Sequence, residues 1–238
     1  MGKFDRVKLL IGSNNAQKIK DLSVMVFGIG GVGGFTVEAL VRSGVENITV
    51  IDSDVVSETN INRQIIATTK TVGKSKVEVI KERALEINEN VNVKTINAFV
   101  LPENITQIDF SGVEYIVDAV DTVSAKLAII KKAKELSIPV ISCMGTGGKL
   151  DVTSLRVGDV FETKGCPLAR VMRRELKKLG VTALKTVYST EQVSISEQDK
   201  DLLEQKGKDR TAPPSMIFVP ATAGLMLAEQ VILDSIKD

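Results

Sequence analysis

The chain has 238 residues, 43% of them hydrophobic and 4% aromatic, which is enough for a core built mainly of Val, Ile, Leu and Ala in one large domain or two small ones. Its net charge of +1 excludes nucleic-acid binding by bulk charge and leaves only a local basic face for such a partner. It contains no histidine, which excludes a His–carboxylate relay, a Ser–His nucleophile and a His-ligated metal.

From the N-terminus, MGKFDRVKLL lacks the long apolar core of a secretory signal, so a cytoplasmic location is the default expectation. Residues 4–20 read as two short helices broken at Gly12, with Ser13 capping the second. Residues 23–27 form an apolar strand, 31–43 a helix stopped by Gly44, and 47–51 a second strand. A polar stretch over 54–71 precedes a helix over 74–88, where Val77, Ile80, Ala84 and Ile87 recur at helical spacing. Strands follow over 92–98, 114–118 and 139–143, with a helix over 124–136 between the last two. Strands alternating with helices up to residue 144 predict an α/β, Rossmann-like, doubly wound and mostly parallel sheet.

The pattern then changes. Residues 155–160 and 181–188 read as strands that extend the same sheet with antiparallel pairing in the C-terminal half. Between them, 166–179 is an amphipathic helix. Ala169, Met172, Leu176 and Leu179 lie on one face, and Arg170, Arg173, Arg174, Lys177 and Lys178 on the other. That basic face is open to two readings, a solvated surface or a phosphate contact with RNA. The polar stretch 190–213 reads as a mobile loop. A short apolar run over 216–219 leads to a final helix from Pro220 through Ile236, and Pro220, Glu229 and Gln230 argue against a membrane span there.

The chemistry is concentrated in two segments. Gly28, Gly30, Gly31 and Gly33 follow the first strand and open a helix, a turn that lets backbone N–H groups and the helix dipole meet phosphates. Asp52 ends the second strand about 20 residues on, where a carboxylate grips ribose hydroxyls. This much also fits a nicotinamide or flavin site. Asp54 is either a ligand contact or a turn cap. Asn60, Arg63, Gln64 and Lys76 add amides, a planar guanidinium fork and an ammonium, a set suited to a triphosphate. In Asp118-Ala119-Val120-Asp121-Thr122, Asp118 positions the turn. Asp121 is either a magnesium ligand or the N-cap of the helix starting near Ser124. Cys143 and Cys166 form neither a disulfide framework nor a CxxC zinc pair, and both read as structural.

GIGGVG, IDSDVV, NINRQ, GKSKVE around Lys76 and DAVDT together resemble the adenylation domain of ubiquitin-activating enzymes and their bacterial relatives. Further along, Phe4-Asp5-Arg6, Thr146-Gly147-Gly148 with Asp151, Asp159, Cys166-Pro167-Leu168-Ala169-Arg170 and Tyr188-Ser189-Thr190-Glu191 resemble the tRNA threonylcarbamoyladenosine dehydratases. Two departures stand out: Cys166 replaces the family's Asp, and Thr122 stands where relatives carry Asn or Ser.

The resemblance implies one adenylation domain over 1–238, with a nucleotide-binding half over 1–148 and a substrate and dimer half over 149–238. It implies ATP and Mg²⁺ as cofactors, with Mg²⁺ at Asp121. Arg63, Lys76 and Asp121 would be the catalytic set, joined by Arg6 from a second copy in a homodimer. The implied reaction activates the threonylcarbamoyl carboxylate of a tRNA adenosine as an acyl-adenylate, which the carbamoyl group then cyclises. The runner-up is adenylation of the C-terminal glycine of a ubiquitin-like sulfur carrier. Activators of such carriers commonly bind zinc through two CxxC pairs, and zinc is not expected here.

Overall fold

A computed structural model describes residues 1–193 and 213–237. Strands β1 (Ser23–Phe27), β2 (Asn47–Ile51), β3 (Asn92–Ile96), β4 (Tyr115–Asp118), β5 (Val140–Cys143), β6 (Leu155–Asp159) and β7 (Lys185–Ser189) build one sheet in the order β3-β2-β1-β4-β5-β7-β6. Every pairing is parallel except that of β6 with β7. The sheet crosses between the two halves of the chain at β5 and β7, where Ile141 pairs with Lys185 and Cys143 with Val187.

Strand alternation divides the apolar side chains between two faces. On β1, Val24 and Val26 point into a cluster shared with Val37, Leu40 and Val41 of α3 (Gly33–Arg42) and Val77 and Ile80 of α4 (Lys76–Ile87). Met25 and Phe27 point the other way, to Ala125 and Ile129 of α5 (Val123–Glu135) and Met172 and Leu176 of α6 (Pro167–Lys178). Both faces are covered, so the strands are apolar on both sides, as a parallel sheet requires. Each fully buried Val, Leu or Ile contributes about 1.5–3 kcal/mol against exposure.

The last helix, α7 (Phe218–Ile236), begins two residues before Pro220 because residues 218 and 219 continue into it. Pro220 falls in the first turn, where its missing N–H forfeits no intrahelical bond. Among the described residues α7 is the one helix long and apolar enough to cross a membrane. Here Val219, Ala223, Leu227 and Val231, each four residues from the last, are buried in the core. At the other end of the chain, α1 (Asp5–Ile11) and α2 (Ser13–Asp21) meet at Gly12 as expected, and α1 has no buried residue.

The strand expected over 181–188 is β7, four residues later. Val181 is spent closing α6, its N–H bonding the carbonyl of Leu176, and the Leu184 N–H is taken by the Asp159 carboxylate at 2.9 Å. The sheet ladder can start only after those donors are committed. The stretch expected as a mobile loop, about 190–213, lies outside the described residues from 194 to 212.

Candidate active site

The sheet order reverses between β1 and β4, and the cleft opens where their C-terminal ends diverge, as it does in open parallel sheets. It has a volume of about 980 Å³, the upper end of what a cofactor-sized ligand needs. Of the expected site residues, Gly28, Gly30, Gly31, Asp52, Asp54, Asn60, Arg63, Gln64, Lys76 and Asp121 all line it. Gly33 and Arg6 do not.

The place of Gly33 in the turn is steric. A Cβ there would lie 1.8 Å from the Gly28 carbonyl oxygen, and Gly28 itself has φ +86°. The two residues fold the turn onto itself, so Gly33 is there because no side chain fits. The Asp52 carboxylate fixes the same turn from the side. It accepts from the Ile29 N–H at 2.6 Å and the Asp54 N–H at 2.8 Å, tying the end of β2 to the glycine loop and leaving further lone pairs toward the cleft.

Asp54 is not a simple turn cap. Its carboxylate pairs with the Lys76 ammonium at 2.7 Å, and its carbonyl accepts from the Lys76 N–H at 3.0 Å. Lys76 is buried at the start of α4, so this pair holds a positive charge at the cleft wall. Asn60 spends its side-chain carbonyl on the Ser57 N–H at 3.1 Å, closing a capping box that shapes the segment carrying Arg63. Its amide N–H₂ is what remains for a ligand. Gln64 is buried at the cleft with its Oε1 unpartnered among the described residues. A buried orphan acceptor is costly, and at a cleft wall it marks a place for a donor on a ligand.

Arg63 and Asp121 face one another electrostatically. Burial lowers the guanidinium pKa from its ordinary value, and Asp121 works in the opposite direction. The guanidinium is held by the Thr59 carbonyl at 2.8 Å and the Asn62 side chain at 2.9 Å. The N-cap alternative for Asp121 is not what forms: α5 begins after Thr122 with no side-chain cap, and Asp121 stays exposed at the cleft. Among the described residues no three acidic or cysteine side chains cluster to hold a metal, so an ion at Asp121 would complete its shell from water and substrate oxygens.

Lys126 and Ser142, not singled out from the sequence, join Asp118, which is expected to position the turn. Lys126, Asp118 and Ser142 form a fully buried cluster under the strand ends. The Lys126 ammonium donates to Asp118 at 3.0 Å, Ser142 at 3.2 Å and the Cys143 carbonyl at 2.7 Å. This confirms Asp118 as the turn's anchor, and it also accepts from the Val120 N–H. Phe99 and Val100, after β3, supply apolar wall near Asp52. Lys149 is buried at the cleft wall, within the Thr146–Asp151 stretch but not itself singled out from the sequence. Cys143 and Cys166 are both buried cleft residues, and burial pushes the Cys143 thiol up to about 12, which suits a structural role.

The basic face of α6 is partly used internally. Arg173 is bonded to Thr163, Arg174 and Lys178 both pair with Glu175, and Lys177 sits 5.9 Å from the centre of the Phe161 ring. Arg170 and Lys164 remain exposed near the Pro167–Leu168 rim of the cleft.

The comparisons with known proteins agree with this geometry. The model of the ThiF family matches residues 4–232. The tRNA threonylcarbamoyladenosine dehydratase of Bacillus subtilis is 37% identical over 99% of this chain and 95% of its own length. The Escherichia coli tRNA N6-threonylcarbamoyladenosine dehydratase TcdA has been solved in complex with ATP and with AMP. Its structures superpose at a TM-score of 0.88 and 33% identity, covering 98% of this chain and 93% of theirs.

Proposed function

The chain belongs to the ThiF family, and we propose that it is an ATP-dependent enzyme that dehydrates and cyclises threonylcarbamoyladenosine in tRNA. The observation that carries this reading is the reach of the likeness. It covers the second half of the chain, and that half walls the same cleft through Cys166, Pro167, Leu168 and Pro220.

The chemistry follows from the charges. A carboxylate attacking the α-phosphate of ATP brings two anions together, so the site's work is neutralisation and alignment. The glycine turn offers backbone N–H groups to phosphate, and Asp52 is placed for the ribose. Gln64 and the amide of Asn60 supply further polar contacts. Arg63 offers its fork to the α-phosphate, and Lys76, held by Asp54, adds a second positive charge. Asp121 would hold Mg²⁺, which when bound would shield the phosphates. The carboxylate oxygen forms a bond to the α-phosphorus as the bond to the bridging oxygen breaks, and pyrophosphate leaves. The carbamoyl group then closes on the activated carbonyl and AMP departs. The second step is intramolecular with a good leaving group, so no protein nucleophile is needed, in keeping with a chain without histidine and with an inert Cys143.

Arg6 belongs to this proposal through a second copy. It is exposed on α1, beside Leu9 and Leu10, which are 78% and 84% exposed on a helix that buries nothing. A homodimer that covers those leucines would bring Arg6 to the partner's phosphates. We assign tRNA contact to the rim carrying Arg170 and Lys164, narrower than the whole basic face of α6, and phosphate contacts there would weaken with salt. With tRNA and ATP as substrates, the reaction belongs in the cytoplasm.

The test is mass spectrometry of tRNA nucleosides after incubation with ATP and this protein. The expected result is loss of one water from threonylcarbamoyladenosine, with AMP and pyrophosphate released only when the modified tRNA is present. Pyrophosphate release driven by a sulfur-carrier protein without tRNA would replace this reading with the runner-up.

A further inference from the structure

Lys149 is 3% exposed, lines the cleft, and makes one long hydrogen bond, 3.3 Å to the Ser189 carbonyl. An ammonium has three donors, and among the described residues Lys149 pairs with no carboxylate. Glu191, two residues after that carbonyl, has its two oxygens occupied by the backbone N–H groups of Leu150 and Asp151 and forms no ion pair with Lys149. A buried cation without a counter-charge is costly, and here it opens onto a cleft.

Its place along the sheet edge says what the cleft offers it. The strands run β2-β1-β4-β5-β7, and Asp52, Gly28, Asp121, Met144 and Ser189 stand at or just beyond their C-terminal ends in that order. At the usual strand spacing, β2 and β7 are roughly 19 Å apart and β4 and β7 roughly 10 Å. A nucleotide with its ribose at Asp52 and its phosphates between the glycine turn and Asp121 therefore ends before Lys149. The carboxylate that attacks the α-phosphorus must approach from the side opposite the departing pyrophosphate, and the β5–β7 end of the cleft is the space left for it.

We propose that Lys149 is the anion subsite of the acyl half of the cleft, where it takes one oxygen of the substrate carboxylate while the other oxygen attacks ATP. This rests on the reading of the site as one that adenylates a carboxylate. The geometry also gives the cation a function in specificity. A tRNA without the threonylcarbamoyl group leaves the ammonium buried and unpaired, so the site discriminates against it. In the adenylation step the attacking oxygen bonds to the α-phosphorus and pyrophosphate carries away the leaving electron pair. The oxygen at Lys149 stays on carbon as the carbonyl of the acyl-adenylate.

The experiment compares wild type, Lys149→Met and Lys149→Arg in affinity for tRNA with and without the threonylcarbamoyl group, in ATP affinity, and in thermal unfolding. Wild type is expected to prefer the modified tRNA by about ten- to hundredfold, the worth of a charge-assisted contact. Lys149→Met should abolish that preference, keep ATP affinity, and unfold no lower than wild type, since an unpaired buried charge has been removed. Lys149→Arg should restore part of the preference. Loss of ATP affinity in Lys149→Met would make Lys149 a phosphate contact and overturn the proposal. Retained preference with lowered stability would reduce Lys149 to a structural tie to Ser189 and overturn it equally. Absence of any preference in a wild type that still turns over modified tRNA would refute the subsite alone. A wild type that never dehydrates the modified tRNA would refute the underlying reading.

Discussion

At the scale of single residues, the site depends on one exposed carboxylate and one missing side chain. Among the described residues Asp121 makes a single weak hydrogen bond, accepted from the Thr122 hydroxyl at 3.3 Å, and caps no helix. Its substitution therefore removes chemistry without removing a structural bond. Asp121→Ala is expected to abolish pyrophosphate release and leave the thermal transition where wild type has it. Normal turnover in that variant would take Asp121 out of the mechanism. Gly33 is the opposite case. A methyl group 1.8 Å from the Gly28 oxygen must push the turn open, so Gly33→Ala should lose at least about 2 kcal/mol and bind ATP poorly, measured by urea unfolding and nucleotide titration. Binding of ATP like wild type by Gly33→Ala would mean that the turn can open to accept a methyl group.

At the scale of elements, what holds the two loops of the cleft in place is a buried polar cluster between strands. Asp118 at the end of β4 and Ser142 in β5 are joined at 2.6 Å, and the Lys126 ammonium from α5 binds both and the Cys143 carbonyl. The Asp121 loop leaves β4 directly above it, and the Met144–Gly147 loop leaves β5. Removing one partner strands a buried charge, which costs about 3–5 kcal/mol. Lys126→Ala should show that loss in urea unfolding. Adding Asp118→Asn to it should recover part of the stability, because the orphaned charge goes too. An unchanged midpoint for Lys126→Ala would mean the pair contributes no net stability. The strand expected over 181–188 starts late for a reason at this same scale, since its first residues close α6 and bond Asp159 before the ladder of β7 forms.

At the scale of the whole molecule, the fold buries acids in their neutral form, and that sets its response to alkali. Burial raises the Cys143 thiol from 9.0 to about 12. Burial, with help from the hydrogen bond to Asp234, also raises Tyr115 above its ordinary value. In both, the folded pKa exceeds the unfolded one, so their stabilisation is complete below the unfolded value and drains as pH rises through the folded value. For Cys143 the window runs from pH 9.0 to about 12. Each group contributes a slope of about 1.4 kcal/mol per pH unit inside its window. Urea midpoints measured at about pH 8 and about pH 10.5 should fall accordingly, and Cys143→Ala should flatten the dependence. A wild-type profile without slope would contradict the burial of both groups.

Periodicity and turn chemistry determined much of this protein from the sequence alone. The apolar strands, the helices between them and the glycine turn before Asp52 are local patterns, set by which residues can share a face or adopt a tight turn. Motif spacing then brought Arg63, Lys76 and Asp121 to one edge of a parallel sheet, because C-terminal strand ends gather there whatever the loops contain. Only the tertiary structure decided the rest. It gave Gly33 a steric part in closing the turn, made Asp54 the partner of Lys76, and drew in much of the basic face of α6. It also brought Lys149 to the cleft, a residue that the motif around it does not mark. Those outcomes depend on which groups from distant segments become each other's neighbours. Burial gives a charge its cost and its partner, and it is fixed only when the whole chain has packed.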